Sequence, residues 1–282
     1  MAAIGKMPEK IETGRELVGL LPAAGSAERI SPLPCSKEIF PVGFYERDTR
    51  SGLRPKAVSH YLLDKMQIAG AEKAFIVIRR GKWDIPDYFS DGDFKHMPLA
   101  FISIDASSSA PFTIDQAYPF YKNALTLFGF PDILSTPSDC FCKLLNVQKG
   151  LNSDIVLGLY KADKPQKMDM VELDSENRIR KIHIKPSETD LLYTWIFAVW
   201  TPRFTLFMHT YLAELMAADP ERSQQSSNYP HKELYMGDVI QEAIDNNLSV
   251  DKFIFQNGKY IDIGTPDDLE RAVRTWIEPG LT

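Results

Sequence analysis

The sequence predicts an α/β protein built on a mostly parallel, mixed sheet flanked by helices. Three observations carry that prediction. Residues 17–21 form a continuous apolar run that breaks into the small-residue turn Ala23-Ala24-Gly25-Ser26-Ala27, the pattern of a strand buried on both faces. Residues 57–69 then place Val58, Tyr61, Leu62, Met66 and Ala69 at helical spacing, with Gly70 as a stop, and 74–78 return to a continuous apolar run. Strand, helix and strand in that order make a right-handed parallel crossover. Further apolar stretches at 99–104, 124–130, 154–160 and 193–200 supply more strands.

The rest of the chain fills in around this frame. Residues 1–15 read as a polar leader, and 16–282 as a single domain, long enough at 44% hydrophobic content to bury a full core. Residues 44–54 are charged and turn-like, 107–111 a loop, and Asp115-Gln116-Ala117 the start of a short helical stretch. Residues 168–173 and 179–184 flank Asp174-Ser175-Glu176-Asn177 as a hairpin. Helical patterns follow at 203–218 and 233–246, separated by a polar, Ser/Gln-rich loop at 219–231 that reads as a lid or a disordered stretch. Near the end, Thr265 as N-cap, Pro266 in the first helical position and Asp268 three residues on mark a helix start.

Composition narrows the function. A net charge of −6 without a Lys/Arg cluster argues against a nucleic-acid partner. Three cysteines, Cys35, Cys140 and Cys142, make no disulfide framework, which points to a reducing cytoplasm. No run of about eighteen apolar residues is present, so no membrane span is expected. The five histidines (His60, His96, His183, His209, His231) fall outside every motif and read as structural or surface residues.

The small-residue turn lets backbone N–H groups approach an anion closely, and Arg29 and Lys37 follow within one loop. The alternative is an ordinary strand exit with solvated charges. Neither the Rossmann nor the P-loop glycine pattern is present. Asp132 stands just past the apolar strand 124–130, at the carboxyl end where open α/β sheets bind ligands. It reads either as a metal-holding carboxylate or as a turn acid in Pro131-Asp132.

Four separated blocks, in order, resemble the sugar-phosphate nucleotidyltransferases, of the glucose-1-phosphate thymidylyltransferase and uridylyltransferase kind. They are Gly25-Ser26-Ala27-Glu28-Arg29 with Pro32-Leu33, Lys37-Glu38 and Pro41-Val42; Pro131-Asp132; Lys185-Pro186; and Asp262-Ile263-Gly264-Thr265-Pro266. The likeness runs from about residue 17 to 274. It implies a nucleotide-diphospho-sugar transferase type of sheet, with a nucleotide half at about 16–135 and an acceptor half at about 150–275. The implied reaction moves a nucleotidyl group from a nucleoside triphosphate to a sugar 1-phosphate and releases pyrophosphate. Ala24, Gly25, Ser26, Ala27, Glu28 and Gln116 would bind nucleotide, with Arg29 and Lys37 catalytic. Lys185 and Trp195 would meet the acceptor, and Asp132 and Asp262 would hold Mg²⁺. The chain departs from the pattern at Ala27 (a glycine in relatives), Glu28 (threonine), Ile184 (glutamate) and Trp195 (glycine). Those departures keep open a non-catalytic nucleotide or nucleotide-sugar binding relative, and a cytidylyltransferase acting on a non-sugar phosphate. Base, acceptor and any homo-oligomer are not specified.

Overall fold

Every apolar run named above enters the central sheet. The computed structural model describes residues 15–46, 52–90, 92–105, 107–219 and 233–276. The expected leader, apart from Arg15, and the expected loop at 219–231, apart from Asp219, lie outside the described residues. In chain order the strands are β1 (Leu17–Ala23), β2 (Pro41–Glu46), β3 (Leu53–Ala57), β4 (Lys73–Arg79), β5 (Asp93–Phe94), β6 (Met97–Ile104), β7 (Leu125–Gly129), β8 (Ile133–Thr136), β9 (Ile155–Lys161), β10 (Asp169–Leu173), β11 (Ile179–Ile184), β12 (Tyr193–Trp200), β13 (Val250–Ile254) and β14 (Lys259–Asp262). The helices are α1 (Val58–Ile68), α2 (Asp84–Phe89), α3 (Ala110–Asp115), α4 (Tyr118–Tyr121), α5 (Cys140–Leu151), α6 (Pro202–Ala218), α7 (Met236–Asp245) and α8 (Pro266–Thr275).

Strands β6, β4, β1 and β7 lie side by side and parallel. β12 continues the sheet antiparallel to β7, leads on to β10 and the edge strand β11, and also pairs with β9, which pairs with β13. Strands from both halves of the chain therefore hydrogen-bond in one ten-stranded sheet. From β1 the chain moves outward through β4 to β6, then returns to β7 on the other side of β1. This reversal of direction opens a crevice at the carboxyl ends of β1 and β7.

Helices cover both faces because the strands are apolar on both. Leu62, Leu63 and Met66 of α1, with Phe141 and Leu144 of α5, pack on one side. Phe112 and Ile114 of α3, Phe204 and Met208 of α6, and Val239 and Ile240 of α7 pack on the other. Each such side chain contributes about 1.5–3 kcal/mol by leaving water. No helix among the described residues is long and apolar enough to cross a membrane.

Three local expectations are corrected. Of the charged stretch 44–54, residues 44–46 and 53–54 are strand, in the antiparallel pair β2–β3, because cross-strand backbone bonding does not require apolar side chains; 47–51 lie outside the described residues. α3 begins at Ala110 rather than Asp115, entered from Ser109 with Pro111 in its first turn, where a missing N–H does no harm. α7 begins at Met236 rather than 233, held by a capping box in which the Tyr235 N–H donates to Asp238 Oδ2 at 2.8 Å.

Candidate active site

A cleft of about 640 Å³ opens at the crevice between β1 and β7. The loop leaving β1 forms one wall, with Ala24, Gly25, Ser26, Ala27, Glu28 and Arg29 all lining it. A β-carbon placed on Gly25 would have no atom within 4 Å, so the missing side chain leaves room for a ligand rather than for the protein. Ala27 sits at φ +57°, the left-handed region where glycine is at ease and alanine costs about 1–2 kcal/mol. Its carbonyl oxygen accepts from Ile30 N at 3.2 Å, Ser31 N at 3.1 Å and Ser31 Oγ at 2.9 Å. These bonds hold the turn in the shape its departure from glycine would otherwise disfavour.

Lys37 is carried on a short 3-10 turn, Lys37–Ile39, and its Nζ donates to Asp132 Oδ2 at 2.5 Å. The β8–β14 ladder brings the second carboxylate alongside: Asp262 pairs with Ile133, and Ile263 N–H donates to the Asp132 carbonyl at 3.1 Å. Burial opposes the charge on Lys37, but Asp132 and then Glu38 outweigh it and hold the ammonium above its ordinary pKa. Asp132 is likewise held below the usual carboxylate range, burial being outweighed by Lys37. Asp262, raised first by burial and then by the neighbouring Asp132 carboxylate, is pushed up to about 6. Its Oδ1 accepts from Gly264 N–H at 2.7 Å.

Two convergent carboxylates that repel one another suit a small hard cation. No group of three or more His, Cys, Asp or Glu side chains with metal-binding geometry occurs among the described residues. Mg²⁺ does not demand one, since it keeps several waters and completes its octahedron with substrate phosphates. Asp132 and Asp262 therefore fit the ion.

Behind Lys37 lies a buried brace for which no motif was apparent. Lys82 Nζ donates to both Glu38 carboxylate oxygens at 2.7 and 2.8 Å and to the Ala23 carbonyl at 2.9 Å. Asp84 accepts from Ser36 N–H at 2.6 Å and Ser36 Oγ at 2.8 Å. One segment thus grips the root of the small-residue loop and the turn carrying Lys37. The available signal was positional: Lys82 follows the carboxyl end of β4, as Asp132 follows β7.

Lys185 lines the cleft, with Nζ 3.6 Å from the centroid of the Tyr235 ring. Trp195 lines it too, 5% exposed and packed on Phe130 at 6.2 Å between centroids. The β12–β9 ladder slips between Trp195 and Phe197, and such a bulge re-aims the side chains on either side. Gln116 is corrected: it is exposed at the C-terminal end of α3 and off the cleft wall. The wall is formed instead by Ser107, Ser108, Ser109 and Thr113, at and before the start of that helix. Among the described residues no histidine lines the cleft.

The sheet order, with the loop after β1 and carboxylates just past β7 and at the end of β14, defines a nucleotidyltransferase type of α/β fold. Solved structures share it. A protein from Bacillus anthracis assigned as a glucose-1-phosphate thymidylyltransferase, in complex with sucrose, superposes with a TM-score of 0.73 at 17% identity, covering 92% of this chain and 94% of that one. A UDP-glucose pyrophosphorylase complexed with UDP-glucose gives 0.70 at 15%, covering 92% and 97%. An inositol-1-phosphate CTP transferase from T. maritima gives 0.63 at 17%, covering 94% and 99%. No family model and no curated protein matches the sequence. At these identities the likeness establishes the fold.

Proposed function

We propose that the chain is an enzyme transferring a nucleotidyl group from a nucleoside triphosphate to a sugar 1-phosphate, releasing pyrophosphate. The observation that carries this reading is the convergence of the Gly25 loop, Lys37, Asp132 and Asp262 on one cleft at the carboxyl ends of β1 and β7. The acceptor phosphate oxygen attacks the α-phosphorus; that P–O bond forms as the bond to the β-phosphate oxygen breaks, and pyrophosphate leaves with the electron pair. The attacking oxygen is already an anion, so no base is required, in keeping with the lack of histidine among the described residues that line the cleft. Backbone N–H groups of the Gly25 loop cradle the triphosphate, and Arg29 holds the departing pyrophosphate. Lys37 neutralises charge growing on the α-phosphate. Mg²⁺, when bound by Asp132 and Asp262, supplies further charge neutralisation across nucleotide and acceptor. Lys185 holds the acceptor phosphate. A reducing cytoplasm suits the three free thiols.

A second reading, a non-catalytic nucleotide-sugar binder, is favoured by Glu28, an acidic residue on the cleft wall beside the loop, whose charge opposes a triphosphate more than the less charged diphosphate of a nucleotide-sugar. The test is incubation with each common nucleoside triphosphate, Mg²⁺ and a panel of sugar 1-phosphates, reading pyrophosphate. Release with at least one pair is expected. Tight binding of a nucleotide-sugar without any release would replace the first reading with the second.

A further inference from the structure

Position 184, where the family pattern has a glutamate, is an isoleucine, and it is not on the cleft wall. Ile184 packs with the apolar cluster on the α7 side of the sheet. Its direct partner across the β10–β11 ladder is Asp169, and Asp169 does line the cleft. Side chains at directly paired positions share a face, and both of these lie against Gly237 in the first turn of α7. A β-carbon on Gly237 would stand 2.5 Å from Ile184 Cδ1 and 2.6 Å from Asp169 Oδ2. The backbone of β10 is fixed here as well, since Thr194 Oγ1 donates to the Asp169 carbonyl at 2.9 Å.

The direction of the exchange matters. β11 is the edge of the sheet and β10 lies between it and β12. A carboxylate at 169 rather than 184 is therefore one strand, about 4.8 Å, nearer to Trp195 and the Lys37–Asp132 pair. A carboxylate offers only acceptor oxygens, so its partner on a ligand carries O–H or N–H donors. Lys185 on the same wall supplies the complementary charge for a phosphate, and Trp195 an apolar surface against which the C–H face of a ring can lie.

We propose that Asp169 is the specificity-determining residue of the acceptor half, and that the acceptor is a polyol phosphate whose hydroxyls donate to it while its phosphate meets Lys185. The inference rests on the nucleotidyl-transfer reading for the role of the site, but its test reads binding and stands apart from turnover. Calorimetric titrations of glucose 1-phosphate, myo-inositol 1-phosphate, phosphocholine and inorganic phosphate are run on the full-length protein and on Asp169→Asn and Asp169→Ser, with thermal unfolding as the folding control. One of the two polyol phosphates is expected to bind wild type and to lose about tenfold or more in affinity in both variants, the scale of one hydrogen bond to a charged group. Inorganic phosphate is expected to bind all three proteins equally.

Glucose 1-phosphate and myo-inositol 1-phosphate separate a sugar from a cyclitol source. Gly237→Ala, which crowds Asp169 Oδ2, is expected to weaken the same polyol phosphate. Equal affinity of a polyol phosphate for wild type and variants overturns the proposal. So does failure of both polyol phosphates to bind wild type, or preferential binding of phosphocholine, which has a cation and no hydroxyl. If the affinity loss is seen but no nucleoside triphosphate yields pyrophosphate, the assignment of Asp169 holds and the transferase reading fails.

Discussion

Removing Lys82 tests whether the buried brace exists to position Lys37 or to stabilise the fold. Glu38 is 2% exposed and Lys82 7%. Burial raises the Glu38 pKa despite Lys82, and lowers that of Lys82 despite Glu38, so desolvation outweighs attraction on both sides of the pair. A pair of that kind adds little net stability, yet breaking it strands a buried charge and costs about 3–5 kcal/mol. Lys82→Met therefore loses about 3–5 kcal/mol in urea unfolding at pH 7, while Lys82→Met with Glu38→Gln, which removes both charges, recovers most of it. The pH dependence has a definite sign. In Lys82→Met the folded-state pKa of Glu38 lies above its unfolded value of about 4.5, so the loss is full above the folded pKa and fades as pH falls through it toward 4.5. The double variant regains stability but not activity: Ala23 and the Lys37 turn are no longer tied together, so kcat stays low while nucleotide affinity changes little. A Lys82→Met cost under about 1 kcal/mol, or a double variant no more stable than the single, would refute the reasoning.

Lys37→Ala lowers kcat far more than it weakens nucleotide binding, whereas Lys185→Ala chiefly raises the acceptor KM; steady-state kinetics beside nucleotide calorimetry separates them, and equal effects on binding alone contradict the assigned roles. Asp262→Asn costs on the order of 10²-fold in turnover with thermal unfolding little changed; Asp132→Asn costs as much in turnover and also lowers the unfolding temperature, because it leaves the buried Lys37 ammonium without its partner; full wild-type turnover in EDTA contradicts the metal assignment. Ala27→Gly relieves the φ of +57° and raises stability by up to about 1 kcal/mol in chemical denaturation; a marked loss shows that the turn is not strained. His60 is buried among the rings of Tyr45, Tyr88, Phe89 and Phe94, with Asp64, Lys56 and Lys95 as the charges facing it. Burial drops its pKa to about 4, so the unfolded chain binds the extra proton first as pH falls. Stability contributed by neutral His60 is intact above pH 6.5 and declines toward pH 4 by about 3 kcal/mol. Unfolding at several pH values should show a shallower decline in His60→Leu.

The sequence by itself determined the elements whose signal is local. The run 17–21 is buried because it has no polar side to show, and it became the strand between β4 and β7. The hairpin at 168–184, the strand 193–200 and the helix start at Thr265 were legible because alternation, continuous burial and capping depend on neighbours in the chain. Thr265 Oγ1 does accept from Asp268 N–H, at 3.3 Å. The positions of Gly25, Arg29, Lys37 and Asp132 along the chain were legible for the same reason, each standing just beyond a strand or turn that its own segment defines, whereas Asp262, the last residue of β14, stood out only through the resemblance of its block to the family pattern. Only the tertiary structure decided what faces what. Lys82 and Glu38 are 44 residues apart, and nothing in either segment announces the other. Gln116 was assigned to the cleft by its place in a pattern, but α3 begins at Ala110, which turns Ser108 and Thr113 to the wall and leaves Gln116 in solvent. Ile184 and Asp169 are the clearest case. Which of two facing strands offers its side chain to the cleft depends on sheet order and on the space left by Gly237, and neither is written in the periodicity of β10 or β11. Hydrophobic patterning acts over a few residues, whereas register and strand order are settled by packing among segments distant in sequence.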